Sequence, residues 1–273
     1  MDSKDLIKAG KLSEARKQLT EEVKSSPADS GKRTLLFQVL SFAGEWDKAE
    51  RHLDTLIQQD SKKETGAQIY RNLIRAEKER SEVLKLRRPP SLIPRSPAYL
   101  SEHLRAIQEL RAGRLEEATR LMSQIEEQRS PISGMFNGKP FDGFKDTDAF
   151  LSYFLEVIIH EQYSWVPFEG IQELTISPPT KLFDLLWIPA QMTTWESLRL
   201  YCFLPVLYPE SFLHAEDQVK LGRMTDWIPM GGPYSKGMGQ HVFEVGDEEV
   251  TLLEIRELVF KKVDSGEKDE TID

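Results

Sequence analysis

Few residues in this sequence have the type and spacing that catalysis or metal binding requires. His160-Glu161 begins like the His-Glu-x-x-His helix of a zinc peptidase, but position 164 is a serine, so the second histidine ligand is missing. We expect His160 at a helix end, in contact with solvent. Cys202 is the single cysteine and lies in the apolar stretch LRLYCFL, which predicts a buried, unreactive thiol. One cysteine also excludes an internal disulfide framework and cysteine-rich zinc sites.

The glycines between Gly231 and Gly239 have the spacing of a phosphate-binding loop, but the chemistry is incomplete. Met238-Gly239 stands where such a loop needs Lys followed by Ser or Thr. These glycines also do not lie between a strand and a helix, as a dinucleotide site requires. We therefore predict no cofactor, and a long loop over residues 223–239.

Charge and hydropathy restrict the class of protein. The chain of 273 residues has 36 basic and 45 acidic residues, and residues 131–273 alone hold 11 basic and 24 acidic ones. The first half is only mildly basic, with its charges interspersed, which argues against a nucleic-acid surface. The first twenty residues lack an apolar signal core, and no stretch of about 18 apolar residues occurs. We predict a cytoplasmic protein that neither spans nor binds a membrane.

The first half contains a repeat that requires helix pairs. The pattern Gly-x-x-x-x-Ala begins at Gly10, recurs 34 residues later at Gly44, and returns 69 residues further on at Gly113. A period of 34 is that of tetratricopeptide helix pairs. Glycine suits the positive φ at the end of a first helix, and alanine suits a close approach of two helices. The alternative is three unrelated helical hairpins with glycine at their turns.

A third copy between residues 64 and 97 is degenerate or interrupted. Ile69, Tyr70, Leu73 and Ile74 have helical spacing, but four prolines between Pro89 and Pro97 prevent the helix from continuing. Ser96-Pro97 then resembles the start of another helix, which should run to about residue 111.

The sequence changes character after residue 130. We expect a helix opening at Asp146, because Phe150, Phe154, Val157 and Ile158 recur at helical spacing. Short β-branched and aromatic segments follow, with a hairpin turn at Gly246-Asp247. The candidate strands are residues 170–176, 185–190, 198–204, 240–245 and 249–253.

These patterns predict an α+β protein in two parts. Residues 1–130 form tetratricopeptide-like helical hairpins, and residues 131–260 form a small α+β domain with a mixed or antiparallel sheet. Trp187, Leu204 and Leu253 are expected in its core. Residues 261–273 are charged and nearly free of apolar residues, which predicts a disordered tail.

Seven short sequence motifs in the second half resemble the ImpE/SciE/TagJ family in their order and spacing. The helical repeats resemble that family too, so the resemblance covers nearly the whole chain. The motifs are WVPFE at 165–169, PP at 178–179 leading to DLLWIPA at 184–190, LPVLYP at 204–209, RMTDW at 223–227, GQ at 239–240, GDE at 246–248 and LEIR at 253–256.

The resemblance implies a non-enzymatic, cytoplasmic adaptor of bacterial type VI secretion systems. Members of the family bind a helix of the small sheath subunit TssB and are linked to the sheath-recycling ATPase ClpV. The family offers no catalytic motif to transfer, in agreement with the incomplete motifs of this sequence. The alternative is an enzyme or small-ligand domain in the second half, recruited by the helical arm; a concave pocket that gathers His, Asp or Arg would favour it.

The first helices of the repeats carry more apolar residues than one packing stripe needs. We therefore predict a groove on these helices that takes an amphipathic partner helix, with Phe37, Tyr70 and Ile74 as its apolar contacts. Arg71 and Arg75 lie four residues apart on one helix face and are predicted to pair with carboxylates of that helix. Alternatively, Tyr70 packs against residues 89–97 and both arginines are solvated.

Overall fold

Helices occupy the first half of the chain and strands the second. The structure, a computed structural model, describes residues 1–262. The helices of the first half are α1 (Ser3–Lys8), α2 (Leu12–Ser25), α3 (Ser30–Phe42), α4 (Trp46–Gln59), α5 (Glu64–Leu84), α6 (Leu100–Arg111) and α7 (Leu115–Gln128). A two-residue strand, β1 (Ser91–Leu92), lies between α5 and α6. The predicted α+β class is confirmed.

Three helix pairs form at the three repeated motifs. Gly10, Gly44 and Gly113 connect α1 to α2, α3 to α4 and α6 to α7, with φ angles of 77°, 67° and 70°. The alanine five residues after each glycine is fully buried. The predicted hairpins are therefore present. The interrupted copy is the long helix α5, which has no second helix after it because the proline segment follows.

The second half contains three sheets. The largest has nine strands in the order β1-β6-β5-β9-β8-β7-β14-β2-β3; β1 runs parallel to β6, and the other pairs are antiparallel. A second sheet has the order β13-β12-β4, and β10 pairs with β11. The strands are β2 (Ser133–Phe136), β3 (Lys139–Asp142), β4 (Phe144–Asp146), β5 (Phe154–Ile159), β6 (Gln162–Pro167), β7 (Ile171–Ile176), β8 (Trp187–Thr194), β9 (Arg199–Pro205), β10 (Thr225–Gly231), β11 (Tyr234–Gly239), β12 (Val242–Val245), β13 (Glu248–Thr251) and β14 (Glu257–Phe260).

The nine-stranded and three-stranded sheets share an aromatic core. Phe144 on β4 stacks on Phe243 of β12, with ring centroids 5.4 Å apart, and meets Phe168 edge-on at 4.8 Å. Trp187 and Leu204 are buried as predicted, but Leu253 is only partly buried and Leu252 takes the core position. The two leucines lie on one turn of 3₁₀ helix, where adjacent side chains point in different directions.

The turns of the helix pairs meet one segment of the second half, residues 212–232. Arg223 donates hydrogen bonds to the backbone carbonyls of Ile7 and Lys8 beside the first turn. The ring of Phe212 lies against Gly44 at the second turn. The β10–β11 turn lies against Leu115 at the third. Gly10 and Gly44 therefore serve both a helix turn and the packing of the two halves, whereas Leu115 makes the contact at the third turn.

The predicted helix at Asp146 is wrong. Asp146 ends β4, a turn follows, and Phe154–Ile159 is the strand β5. This strand is buried along nearly its whole length, so all its residues except Glu156 are apolar. A continuous apolar run contains the three- and four-residue spacings of a helix as well as those of a buried strand. His160 accordingly lies in the turn between β5 and β6, exposed, and not at a helix end.

The predicted long loop over residues 223–239 is also wrong, because β10 and β11 form a hairpin there. Gly231 and Gly232 have positive φ angles in its turn. Gly237 is required for a different reason: a Cβ at this position would lie 2.3 Å from the ring of Tyr208. Glycine here allows close packing within a strand. In the sequence, such a glycine cannot be told from the glycines of a loop.

Smaller differences concern element ends. Helix α6 begins at Leu100, three residues after Pro97, because residues 97–99 form a turn before the helix. Residues 263–273, most of the predicted tail, lie outside the described residues, and the predicted domain boundaries stay predictions.

We predict that Gly44→Ala destabilises the protein more than Gly113→Ala. Both substitutions place alanine at a positive φ, which costs about 1–2 kcal/mol. Only at Gly44 would the new Cβ also meet a ring, 2.5 Å from Phe212, whereas nothing lies within 4 Å at Gly113. Overpacking adds about 1–3 kcal/mol. Urea unfolding of both variants tests this, and equal losses would contradict the contact.

Candidate functional site

The predicted groove on α3 and α5 is filled by the chain itself. Phe37 is buried, with its ring 5.7 Å from Tyr70 and 5.0 Å from Phe183. Phe183 lies on a single 3₁₀ turn, Leu182–Leu185, just before β8, and its ring is 4.6 Å from that of Tyr70. Tyr70 therefore packs on Phe183, where the alternative prediction placed it against residues 89–97.

This aromatic contact continues between the two halves of the molecule. The ring of Trp187 is 5.5 Å from Phe183 and 6.0 Å from Trp46 at the start of α4. Trp46 in turn lies 6.3 Å from Phe212. The apolar surplus of the repeat helices thus covers the sheet-rich half, which explains why it exceeds the need of one helix pair.

Four residues of α5 are at least partly accessible, and we call them the α5 edge: Ile69, Tyr70, Arg71 and Arg75. Arg71 and Arg75 share one face of the helix, whereas Ile69 lies about 160° around the axis from Arg71. Ile69 is 46% exposed and Tyr70 is half-buried. Arg71 Nε donates to Asp54 of α4 at 3.2 Å, and Arg75 pairs with Glu161 in the β5–β6 turn. Ile74 is buried. The partner-binding role of these residues and of Phe37 stays a prediction.

A buried charge network joins α5 to the sheet. Arg80 Nε donates to Glu156 Oε1 at 2.8 Å, and its Nη2 reaches Glu156 Oε2 and the carbonyl of Leu207. Arg80 also lies 3.3 Å from Glu77, which accepts a hydrogen bond from Trp187 Nε1 at 2.9 Å. Since α5 supplies Arg80 and β5 supplies Glu156, the pair requires the helix to lie across this strand.

His241 extends the network on the far side of Glu156. Its Nδ1 lies 2.8 Å from Asp146 Oδ2, and its Nε2 lies 3.2 Å from Glu156 Oε2. The Tyr208 hydroxyl donates to Asp146 Oδ1 at 2.7 Å, and the Tyr208 ring lies 4.1 Å from the imidazole. The close approach at Gly237 is what admits this tyrosine. We call Glu77, Arg80, Glu156, His241 and Asp146 the charge network.

Glu156 and His241 stay charged in spite of burial. Burial alone would raise the pKa of Glu156, but Arg80 and His241 outweigh it and lower that pKa to about 2. Burial also disfavours the imidazolium, yet Asp146 and Glu156 raise the pKa of His241 to about 9. At neutral pH the side chains of Glu156 and His241 therefore carry opposite charges.

The pKa of Asp148, next to the charge network, is shifted in the opposite direction from that of Glu156. Burial and the neighbouring Asp146 raise the pKa of Asp148 to about 7, against the hydrogen bonds that its carboxylate accepts from the backbone N–H groups of Gly237 and Phe150.

These residues gather His, Asp and Arg, as the enzyme alternative requires, but in a packed interior. The side chains of His241, Asp146 and Glu156 are at most 4% exposed. A cavity of about 270 Å³ touches Glu77 and Arg80 at the outer end of the network. A substrate would have to displace an existing ion pair, so the arrangement acts as a connection between the two halves.

Other candidates for chemistry give no site in the described residues. Cys202 is buried, and burial raises the pKa of its thiol to about 12, as expected for an unreactive cysteine. Within residues 1–262, no group of three His, Cys, Asp or Glu side chains is arranged to hold a metal ion. No helix among these residues is long and apolar enough to cross a membrane.

The charge network was not predicted from the sequence, although two signals pointed to it. Glu156 is a lone carboxylate in the apolar run FLEVII, and Glu77 and Arg80 occupy positions of α5 that continue the buried stripe of Leu73 and Ile74. A charge at an apolar position requires a buried partner of opposite sign.

We predict that stability falls as pH rises from 7 to 9. The pKa of His241 is raised from 6.5 to about 9, so its contribution is fully present below pH 6.5 and is lost as pH rises through 9. Each pKa unit is about 1.4 kcal/mol. Urea unfolding at pH 7, 8 and 9 should show this slope in the wild type and in the exposed-histidine control His160→Asn, and a flatter one in His241→Gln. Equal slopes in all three would contradict the assignment.

Comparisons with known proteins agree with this architecture. The model of the ImpE protein family matches residues 138–259. Over 265 residues the chain is 31% identical to the type VI secretion system accessory component TagJ of Pseudomonas aeruginosa, covering 97% of this chain and 93% of that protein. A crystal structure of a protein from Vibrio parahaemolyticus has the same fold, with a TM-score of 0.86 at 23% identity over 96% of this chain and 98% of the other. The chain therefore belongs to the ImpE family, as the sequence motifs of its second half predicted.

Proposed function

We propose that this protein is a non-enzymatic, cytoplasmic accessory component of a bacterial type VI secretion system. The supporting observation is the 31% identity to the TagJ accessory component, which extends over 97% of the chain and so includes both halves. The buried charge network supports an adaptor over an enzyme, because its charged groups are already paired with one another.

We further propose that the protein binds a helix of the small, TssB-like sheath subunit and connects it to a ClpV-like ATPase. Since Phe183 fills the face next to Phe37, the partner helix contacts the α5 edge instead. Ile69 and Tyr70 offer apolar surface there, and Arg71 and Arg75 offer guanidinium groups. Phe37 and Ile74 hold α5 in place from below and contribute indirectly.

The charges of the α5 edge indicate how recognition would work. Arg75 is 63% exposed, so its pair with Glu161 is solvated and contributes little to folding. A carboxylate on the partner helix competes with Glu161 for this guanidinium. The proposal therefore requires an amphipathic helix with acidic residues beside its apolar stripe.

We predict that a synthetic peptide of the sheath-subunit helix binds the wild type, and that Ile69→Ser and Arg75→Glu each weaken binding at least about tenfold, or about 1.4 kcal/mol. The first removes apolar contact and the second reverses a charge. Isothermal titration calorimetry measures both, after circular dichroism has shown that the variants are folded.

Arg105→Glu is the matched control, because Arg105 on α6 is 59% exposed and paired with Glu117, much as Arg75 is with Glu161. It should bind like the wild type. If the peptide binds the wild type and both α5 variants equally well, the α5 edge is not the site; if the wild type does not bind the peptide, the sheath assignment fails.

A further inference from the structure

A second accessible site lies where α7 ends and the sheet begins. A cavity of about 600 Å³ is lined by the last residues of α7, the segment 94–99 after β1, the 3₁₀ turn Phe168–Gly170 and Trp195. We call it the Arg129 cavity. It has no residue in common with the α5 edge, and its volume is in the range of pockets that hold small ligands or a few residues of a peptide.

Arg129 lies in the wall of this cavity with much of its hydrogen-bonding capacity unused. Its side chain is only 7% exposed, and its guanidinium stacks on the ring of Tyr153 at 4.2 Å. Nη2 donates to Glu169 Oε2 at a long 3.3 Å, while Nη1 lies 3.9 Å from Glu126. The buried Nε donates to no atom of residues 1–262, but it is closed to solvent, so a ligand in the cavity would not reach it. Nη1, which lies 3.9 Å from Glu126, is the group to which a further acceptor could bind.

Glu169 shows which acceptor suits this position. Its carboxylate accepts the Tyr99 hydroxyl at 2.6 Å as well as Arg129, so one carboxylate already lies against one side of the guanidinium. Planar carboxylates match the two-pronged donor geometry of arginine. A second carboxylate could use the remaining donors of Arg129.

The rim of the cavity is basic. Arg95, Lys261 and Lys262 line it together with Arg129, against the two acids Glu169 and Glu196. Arg95 is 85% exposed, and its contact with Glu196 at 3.7 Å is loose. This charge excess is opposite to that of the second half as a whole, where acidic residues outnumber basic ones by 24 to 11. The cavity therefore attracts anions, although the second half as a whole is acidic.

The walls of the cavity are apolar and flat. Trp195, Phe168, Pro94, Pro97 and Pro167 contribute rings to them. A free inorganic anion would leave these surfaces unused, whereas an acidic peptide with an aromatic residue between its carboxylates would contact both the rings and the basic groups.

From these observations we propose that the Arg129 cavity binds an acidic peptide segment of a partner protein. One carboxylate of the segment pairs with Arg129, a second with Arg95 or the two lysines at the rim, and an aromatic side chain between them packs on Trp195 and the prolines. This site lies beyond the proposed sheath-helix site and allows the adaptor to hold two partners at once.

Calorimetry with the full chain and a defined probe tests the proposal. The probe is the tetrapeptide acetyl-Glu-Phe-Asp-Glu-amide, with acetyl-Gln-Phe-Asn-Gln-amide as its uncharged counterpart and inorganic phosphate as the free anion. We expect the acidic peptide to bind at least tenfold more tightly than either, and its affinity to fall as salt concentration rises.

The variants separate the site from the fold. Arg95→Glu combined with Lys262→Glu changes only the rim and should weaken peptide binding at least tenfold, while Arg120→Glu, an exposed arginine outside the cavity, should not. Arg129→Lys keeps a positive charge but loses the guanidinium geometry, and should weaken binding if it remains folded by circular dichroism. Binding of the sheath-helix peptide should be unaffected by the rim variant, so the two proposals can fail separately.

Three results would overturn the proposal: no binding of the acidic peptide to the wild type, equal binding by the rim variant, or phosphate binding as tightly as the peptide, which would indicate a general anion site.

Discussion

The ion pair between Arg80 and Glu156 determines how the two halves of this molecule are arranged. Both groups are buried, and burying a charge costs several kcal/mol unless a well-placed partner compensates it. Arg80 meets that condition only when α5 lies across β5, because Glu156 and the carbonyl of Leu207 accept its hydrogen bonds there. The carboxylates of Glu156 and Asp146 then hold His241 charged between them, which brings β4 and the start of β12 into the same arrangement.

The consequences of this arrangement extend to both proposed binding surfaces. With α5 fixed on the sheet, Phe37, Tyr70, Phe183 and Trp187 close the space that separate repeat helices would leave open. The α5 edge and the Arg129 cavity at the end of α7 remain accessible. Both lie at the surface, so binding a partner there would require no rearrangement of the core.

Local features of the fold were predictable from the sequence, and features that depend on distant residues were not. The helix turns at Gly10, Gly44 and Gly113 follow from a backbone requirement that a single glycine meets, so the motif alone identifies them. Strand β5 was mistaken for a helix because burial on both sides removes the alternation that distinguishes a strand. The β10–β11 hairpin was mistaken for a loop because Gly237 is selected by the ring of Tyr208, nearly thirty residues earlier in the chain.

The same distinction applies to the candidate sites. The apolar surplus around Phe37 predicts a groove for a partner helix, but Phe183 of the same chain packs against Phe37, which no local pattern reveals. Arg71 and Arg75 were predicted on one face of a helix, and both reach acids of neighbouring elements. The charge network joins residues 77 to 241 and could be suspected only from charges at apolar positions.

The arrangement of the two halves depends most on the coupling between Arg80 and Glu156, and a double-mutant cycle measures that coupling directly. Urea unfolding of Arg80→Gln, Glu156→Gln and the double variant gives the coupling free energy. We expect each single variant to lose about 3–5 kcal/mol, because it removes the principal partner of a buried charge, and the double variant to lose several kcal/mol less than their sum. Losses that add to within about 0.5 kcal/mol would show that the pair does not hold the two halves together.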